Sequence, residues 1–134
     1  MTKGGARTSR PKRRSRSIAI KRAYDNPVPQ DGVRILIDRL WPRGISKIKL
    51  RLDAWPRELV PSTALRKWYG HDPARFAEFR RRYKAELAER PEQLNALRAM
   101  IKGRAATLIT ATREVDLSHA EVMRSILQRK RTTR

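Results

Sequence analysis

The sequence predicts one α/β domain, a small mixed or mostly parallel sheet covered by helices. Three observations lead there. The runs Val33-Arg34-Ile35-Leu36-Ile37-Asp38 and Ala105-Ala106-Thr107-Leu108-Ile109-Thr110-Ala111 have the nearly continuous apolar character of strands buried on both faces. Other segments carry apolar residues at helical spacing, each opened by a capping residue or a proline. The order strand, strand, short strand, helices, strand, helix then sets helices against a sheet. At 134 residues the chain has the length of one such unit.

Each element has its own signal. Ile18-Ala19-Ile20-Lys21-Arg22-Ala23-Tyr24 alternates in part and reads as the first strand, and Asp25 to Gly32 is dense in turn residues. After the Val33–Asp38 strand, Pro42 and Gly44 keep the segment from Arg39 to Gly44 irregular. A short helix is expected within Ile45 to Leu52, and a weak strand at Asp53-Ala54-Trp55. Ser62 is placed to cap a helix from Thr63 to Tyr69, with Gly70 ending it. Asp72-Pro73 starts the next helix, whose buried stripe is Phe76, Phe79, Tyr83 and Leu87, with Arg80, Arg81 and Lys84 facing away. Pro91 opens a helix that turns Leu94, Leu97 and Ile101 inward and ends at Gly103. Ser118 and Glu121 have capping-box spacing before a last helix with Val122, Met123, Ile126 and Leu127 on its core face.

The net charge of +20 is unevenly spread. Met1 to Ser17 holds seven Lys or Arg and no acid, and Arg129 to Arg134 holds four more. Both segments, 1–17 and 129–134, read as disordered basic arms, since neither can bury enough apolar surface to offset its ordering entropy. The domain between them, 18–128, keeps 22 basic residues against 13 acidic ones. A field of that sign suits an anionic small molecule and, through the arms, nucleic acid. No apolar run reaches the length of a spanning helix or a signal sequence, so a cytoplasmic protein with no membrane partner is expected.

Several chemistries are excluded. Without cysteine there is no disulfide, thiolate nucleophile or Cys-type zinc site, and His71 and His119 alone do not make a His-rich metal centre. The P-loop, the dinucleotide glycine motif, the nucleophile elbow and the His-Glu metalloprotease motif are all missing, so no cofactor is expected. The sequence leaves open whether the protein is an enzyme, and its oligomeric state.

In open α/β sheets ligands bind beyond the carboxyl ends of the strands. Two strands here end in polar segments, one in Asp38-Arg39-Leu40-Trp41-Pro42-Arg43-Gly44 and one in Thr112-Arg113-Glu114 followed by Ser118-His119. If these strands are parallel neighbours, their ends converge. Asp38, Glu114 and His119 are then candidate catalytic groups, and Arg39, Arg43, Arg113 and Ser118 candidate ligand-binding groups. Guanidiniums beside a helix N-terminus suit a phosphate or carboxylate. Near that positive helix end His119 is expected to favour the neutral imidazole. Asp38 could equally pair with Arg34, Arg39 or Arg43 to hold a loop, and Trp41 and Pro42 read as packing and turn residues. Asp72 reads as a cap, while His71 could share that role or face the cleft. A second reading has the arms and the Arg80–Lys84 face gripping nucleic-acid phosphates. A third is a non-catalytic adaptor domain whose charged loops satisfy one another.

The same segments carry a resemblance. Ile20-Lys21-Arg22 with Tyr24-Asp25, the Val33 to Gly44 block, Pro61-Ser62-Thr63 with Leu65 to Pro73, and Phe79-Arg80-Arg81-Arg82-Tyr83 resemble the YeaO-like branch of the domain-of-unknown-function 488 family. The likeness covers about Ile18 to Leu127. It implies a compact bacterial α/β domain with a polar centre, and assigns no reaction. Relatives usually carry a lysine-acid pair after the last strand and a histidine on the following helix; Arg113-Glu114 and His119 stand in those places here. Arginine keeps the charge but cannot serve as a general base or form a Schiff base. Broader relatives have cysteines near this end of the sheet, and this chain has none, so their thiol or metal chemistry does not carry over.

Overall fold

The computed structural model describes residues 17–128. The expected basic arms therefore lie outside the described residues, apart from Ser17. Strands β1 (Ile18–Arg22), β2 (Val33–Leu36) and β3 (Ala106–Thr110) form one sheet in the order β1-β3-β2, with both pairings parallel. Ile18 and Val33 both pair with Ala106, so the three strands start level. The strand made last takes the central place, and every residue of β3 is buried, as its apolar composition requires.

The helices are α1 (Lys47–Leu50), α2 (Thr63–Tyr69), α3 (Phe76–Ala88), α4 (Pro91–Ile101) and α5 (His119–Gln128). Their ends follow the expected chemistry. Ser62 Oγ accepts from the Leu65 N–H at 3.1 Å, and Gly70 closes α2 at φ 52°, in the left-handed region glycine enters without a Cβ clash. Asp72 caps a 3-10 turn at Pro73–Arg75 that leads into α3. Ser118 Oγ accepts from the Ala120 N–H at 3.1 Å, but the Glu121 carboxylate is taken by Arg124 at 2.8 and 2.9 Å. A one-turn ion pair thus replaces the reciprocal half of the capping box. The weak strand expected at 53–55 is reduced to one parallel bridge between Ile35 and Ala54. Pro56 follows with no N–H to extend the ladder, and the Trp55 indole turns away to donate to the Asp38 carbonyl at 2.7 Å.

The sheet is apolar on both faces. Val33, Ile35 and Ile37 join Ile18 and Leu108 under the buried sides of α2 to α5, where Phe79, Tyr83, Leu87, Leu97, Val122 and Met123 pack. Leu36 and Ile109 face the other way, against Ala23 and Leu50 and beside Trp41, Ile45, Leu52 and Trp55. Burying one such aliphatic side chain contributes roughly 1.5–3 kcal/mol.

Arg34 sits between the apolar residues of β2, yet its side chain is only 5% exposed. It is tolerated because every face of the guanidinium is matched. Nη1 meets Asp31 Oδ2 at 2.6 Å, and Nε and Nη2 donate to the Leu50 carbonyl at 3.0 and 2.8 Å, capping the end of α1. Burial pushes the Asp31 carboxyl up, but the Val28 N–H, Lys21 and Arg34 together hold it below its ordinary value. Gly32, at φ 65°, is obligatory for a second reason: a Cβ there would lie 2.1 Å from the Ala105 carbonyl oxygen.

Candidate functional site

Because the strands start level and differ by at most one residue in length, their carboxyl ends form one edge. Asp38 follows β2 on this edge, Ala111 and Thr112 follow β3, and α5 begins there at His119. The Asp38 carboxylate joins all three. Oδ1 accepts from the Thr110 hydroxyl at 2.7 Å and from His119 Nε2 at 3.0 Å, and Oδ2 accepts from the Ala111 N–H at 2.7 Å. An ionised carboxylate only accepts, so Nε2 carries the hydrogen of this bond and the other ring nitrogen, Nδ1, is left outside it. Burial raises the Asp38 pKa, but the hydrogen bond and charge of His119, with the Ala111 and Thr110 donors, outweigh it and hold the carboxyl below its ordinary value.

The pair opens into a cavity of about 380 Å³, within the range that takes one small molecule. Arg43, Arg66, His71 and His119 line it against a single acid, Asp38. Tyr24, Trp41, Pro42, Tyr69 and Phe79 supply its apolar walls.

The walls are held by a few specific bonds. Arg22, at the end of β1, donates to the Ala111 and Thr112 carbonyls, both at 3.2 Å, fixing the turn after β3. The same guanidinium stands 5.3 Å over the Tyr24 ring, and the Tyr24 hydroxyl donates to the Arg43 carbonyl at 3.3 Å. Trp41 donates from its indole to the Ile45 carbonyl and meets Trp55 edge-on at 5.5 Å, so it packs as expected while bordering the cavity. On the opposite wall, the Tyr69 hydroxyl donates to the Leu117 carbonyl at 2.6 Å, which pins the end of α2 to the turn before α5. Burial, with the charges of Asp72 and Glu114, pushes that hydroxyl above its ordinary pKa, so it remains a donor. His71 adopts φ 58°, a left-handed conformation rarely taken by residues other than glycine. That turn sets its ring 6.1 Å from Tyr69, at the cavity.

Of the residues singled out from the sequence, Asp38, Arg43, Ser118 and His119 line the same cavity. Ser118 is buried with its hydroxyl engaged, donating to the Val115 carbonyl at 2.8 Å while capping α5. Arg39, Arg113 and Glu114 are exposed and do not line it. Asp38 takes none of the arginines that could have consumed it, since Arg34 is committed to Asp31. Thr110, Arg66, Tyr69 and His71 complete the site, and only the last drew notice in the sequence. Arg66 and Tyr69 are three residues apart and so share a helix face, but which face meets the cavity is decided by how α2 packs. Among the described residues, no group of three or more His, Asp or Glu side chains is placed to hold a metal ion.

Comparison with known proteins extends this picture. A family described as the inactive DUF488-N3 subclade matches residues 17–134. An uncharacterised protein of Mycobacterium tuberculosis strain H37Rv is 41% identical over 114 residues, covering 85% of this chain and 96% of that one. The uncharacterised protein YeaO of Escherichia coli K12 is 42% identical over 107 residues, covering 80% of this chain and 93% of its own. No solved structure matches the chain. With nearly the whole described core matched by the family, and YeaO aligned along most of both chains, this protein belongs to the YeaO-like branch of the DUF488 family.

Proposed function

We propose that the protein binds a small phosphate- or carboxylate-bearing ligand in the cavity at the carboxyl edge of its sheet, in the cytoplasm. One observation carries the reading: the cavity is lined by two arginines and two histidines against one carboxylate that already accepts three hydrogen bonds. Among the described residues, neither Arg43 nor Arg66 has an acidic partner within ion-pair distance. Unpaired guanidiniums facing a cavity favour an anion, which they can hold through two parallel N–H bonds each. His119, oriented by Asp38, presents its other ring nitrogen to the ligand.

The reading is recognition rather than turnover. Asp38 is spent in joining β2, β3 and α5, and Glu114 is exposed and does not line the cavity. The description of the matched family as an inactive subclade supports the same choice. An adaptor whose charges cancel one another is less well supported, because the cavity is open and its arginines are not neutralised.

The test is thermal unfolding of the full chain titrated with inorganic phosphate and with phenyl phosphate. Ligand binding stabilises the folded state by RT ln(1 + [L]/Kd), so the midpoint rises with concentration. The rise should disappear in an Arg43→Ala/Arg66→Ala variant that still folds, as judged by circular dichroism. A midpoint indifferent to both anions, or an equal rise in the variant, overturns the reading.

A further inference from the structure

The residues lining the cavity are sorted by depth. Pro42, Pro61, Tyr69 and Phe79 line it and are buried, whereas Arg43, Arg66 and His71 line it and are exposed. The inner wall is thus apolar and the mouth is cationic. The acid of the cavity, Asp38, has a side chain only 17% exposed, and in its ionised form it repels an anion moving past the mouth. An anion held by Arg43 and Arg66 therefore stays at the rim, where it also keeps part of its hydration. The space inside it, within a cavity of about 380 Å³, is large enough for the body of a small organic molecule.

We infer that the ligand is an organic anion with one compact, ring-sized apolar body, which lies against Leu40 and the inner wall while the charge stays at the mouth. The inference rests on the anion-binding reading above and names the class of ligand. Two further features select an apolar body over a sugar or other polyol. The first is that the hydroxyls of the cavity are already committed. Tyr24 donates to the Arg43 carbonyl at 3.3 Å, Tyr69 to the Leu117 carbonyl at 2.6 Å and Ser118 to the Val115 carbonyl at 2.8 Å, so each has spent its one hydrogen. Thr112 carries the one other hydroxyl among the lining residues, and Asp38 already accepts three hydrogen bonds. A polyol moved from water to this wall would leave its hydroxyls unpaired, whereas an aryl group loses nothing of that kind. The second feature is Leu40, which lines the cavity yet is 74% exposed. Its loop is anchored on both sides, at Asp38 by the Trp55 indole bonded to its carbonyl and at Pro42 by burial, so the side chain is held out at the mouth. An apolar body seated beneath it would remove that exposed surface from water.

The experiment is isothermal titration calorimetry of the full chain, near neutral pH, with phenyl phosphate, glucose 1-phosphate and inorganic phosphate. Phenyl phosphate should bind about tenfold more tightly than either of the others, through burial of its ring. Leu40→Ser changes an exposed position, so the fold should be kept, as checked by circular dichroism. That variant should bind phenyl phosphate about threefold more weakly and inorganic phosphate as the wild type does. Glucose 1-phosphate or inorganic phosphate binding as tightly as phenyl phosphate, and lost in Arg43→Ala/Arg66→Ala, overturns the apolar body while leaving the anion site standing. A preference for phenyl phosphate that Leu40→Ser does not reduce also overturns the inference. Binding of none of the three overturns the anion-binding reading, and this inference with it.

Discussion

Replacing Asp38 tests the architecture of the candidate site quantitatively. In Asp38→Ala three donors lose their acceptor: the Thr110 hydroxyl, His119 Nε2 and the Ala111 N–H. They are not equally harmed. The threonine hydroxyl can rotate, and the His119 ring, 18% exposed, can turn to water. The Ala111 N–H is fixed by the backbone and half-buried, so it is the least able to find a new partner; leaving it unpaired costs about 1–3 kcal/mol, and the charge-assisted bonds add to that. The expected loss is about 3 kcal/mol. Asp38→Asn keeps an acceptor for the Ala111 N–H, and the hydroxyl and imidazole can reverse their roles to accept from its amide, so it should cost about 1 kcal/mol. At about 4 °C per kcal/mol for a domain of this size, the midpoints should fall by about 12 °C and about 4 °C. Urea unfolding followed by circular dichroism at several pH values is the assay. Because the folded-state pKa of Asp38 is depressed, its contribution is complete above the unfolded value, near 3.9, and is lost as pH falls through the folded value. The gap between wild type and Asp38→Ala should therefore be widest near neutrality and narrow below about pH 4. Equal damage from Asn and Ala, or a gap that stays constant down to pH 3 or so, would show that the carboxylate does not organise this edge.

Other perturbations test different links. Tyr83→Phe removes the buried hydroxyl that donates to the Leu59 carbonyl at 2.5 Å and should cost about 1–3 kcal/mol by urea unfolding. Gly32→Ala places a methyl group against the Ala105 carbonyl at positive φ and should cost about 3 kcal/mol or more; a near-neutral result would mean that β2 and β3 do not start together. His71→Gly should raise stability by about 1 kcal/mol, through relief of the left-handed backbone, while weakening the response to inorganic phosphate. A variant that gains stability and binds phosphate as before would remove His71 from the ligand site.

Much of this protein was legible in local chemistry. Ser62 and Gly70 bound α2, Asp72-Pro73 begins the approach to α3, and Phe79, Tyr83 and Leu87 form its buried stripe, because caps and helical periodicity act within a few residues. The aliphatic runs located β2 and β3, whose side chains pack on both faces. Arg34 was hidden inside such a run. Its burial depends on Asp31 and the end of α1, groups brought to it by the turn before β2 and the chain after it.

The cavity was only partly legible. Asp38, Arg43, Ser118 and His119 stood at the ends of predicted elements, where an open parallel sheet presents its ligands. Tertiary packing decided the rest. Which wall α2 offers with Arg66 and Tyr69, where the left-handed turn carries His71, and that Arg113 and Glu114 point to solvent all follow from how helices settle on the sheet. Local propensity fixes where an element begins and ends, acting through bonds a few residues long. The neighbours across the sheet edge are set by contacts between distant parts of the chain, and those exist only once the apolar faces are buried.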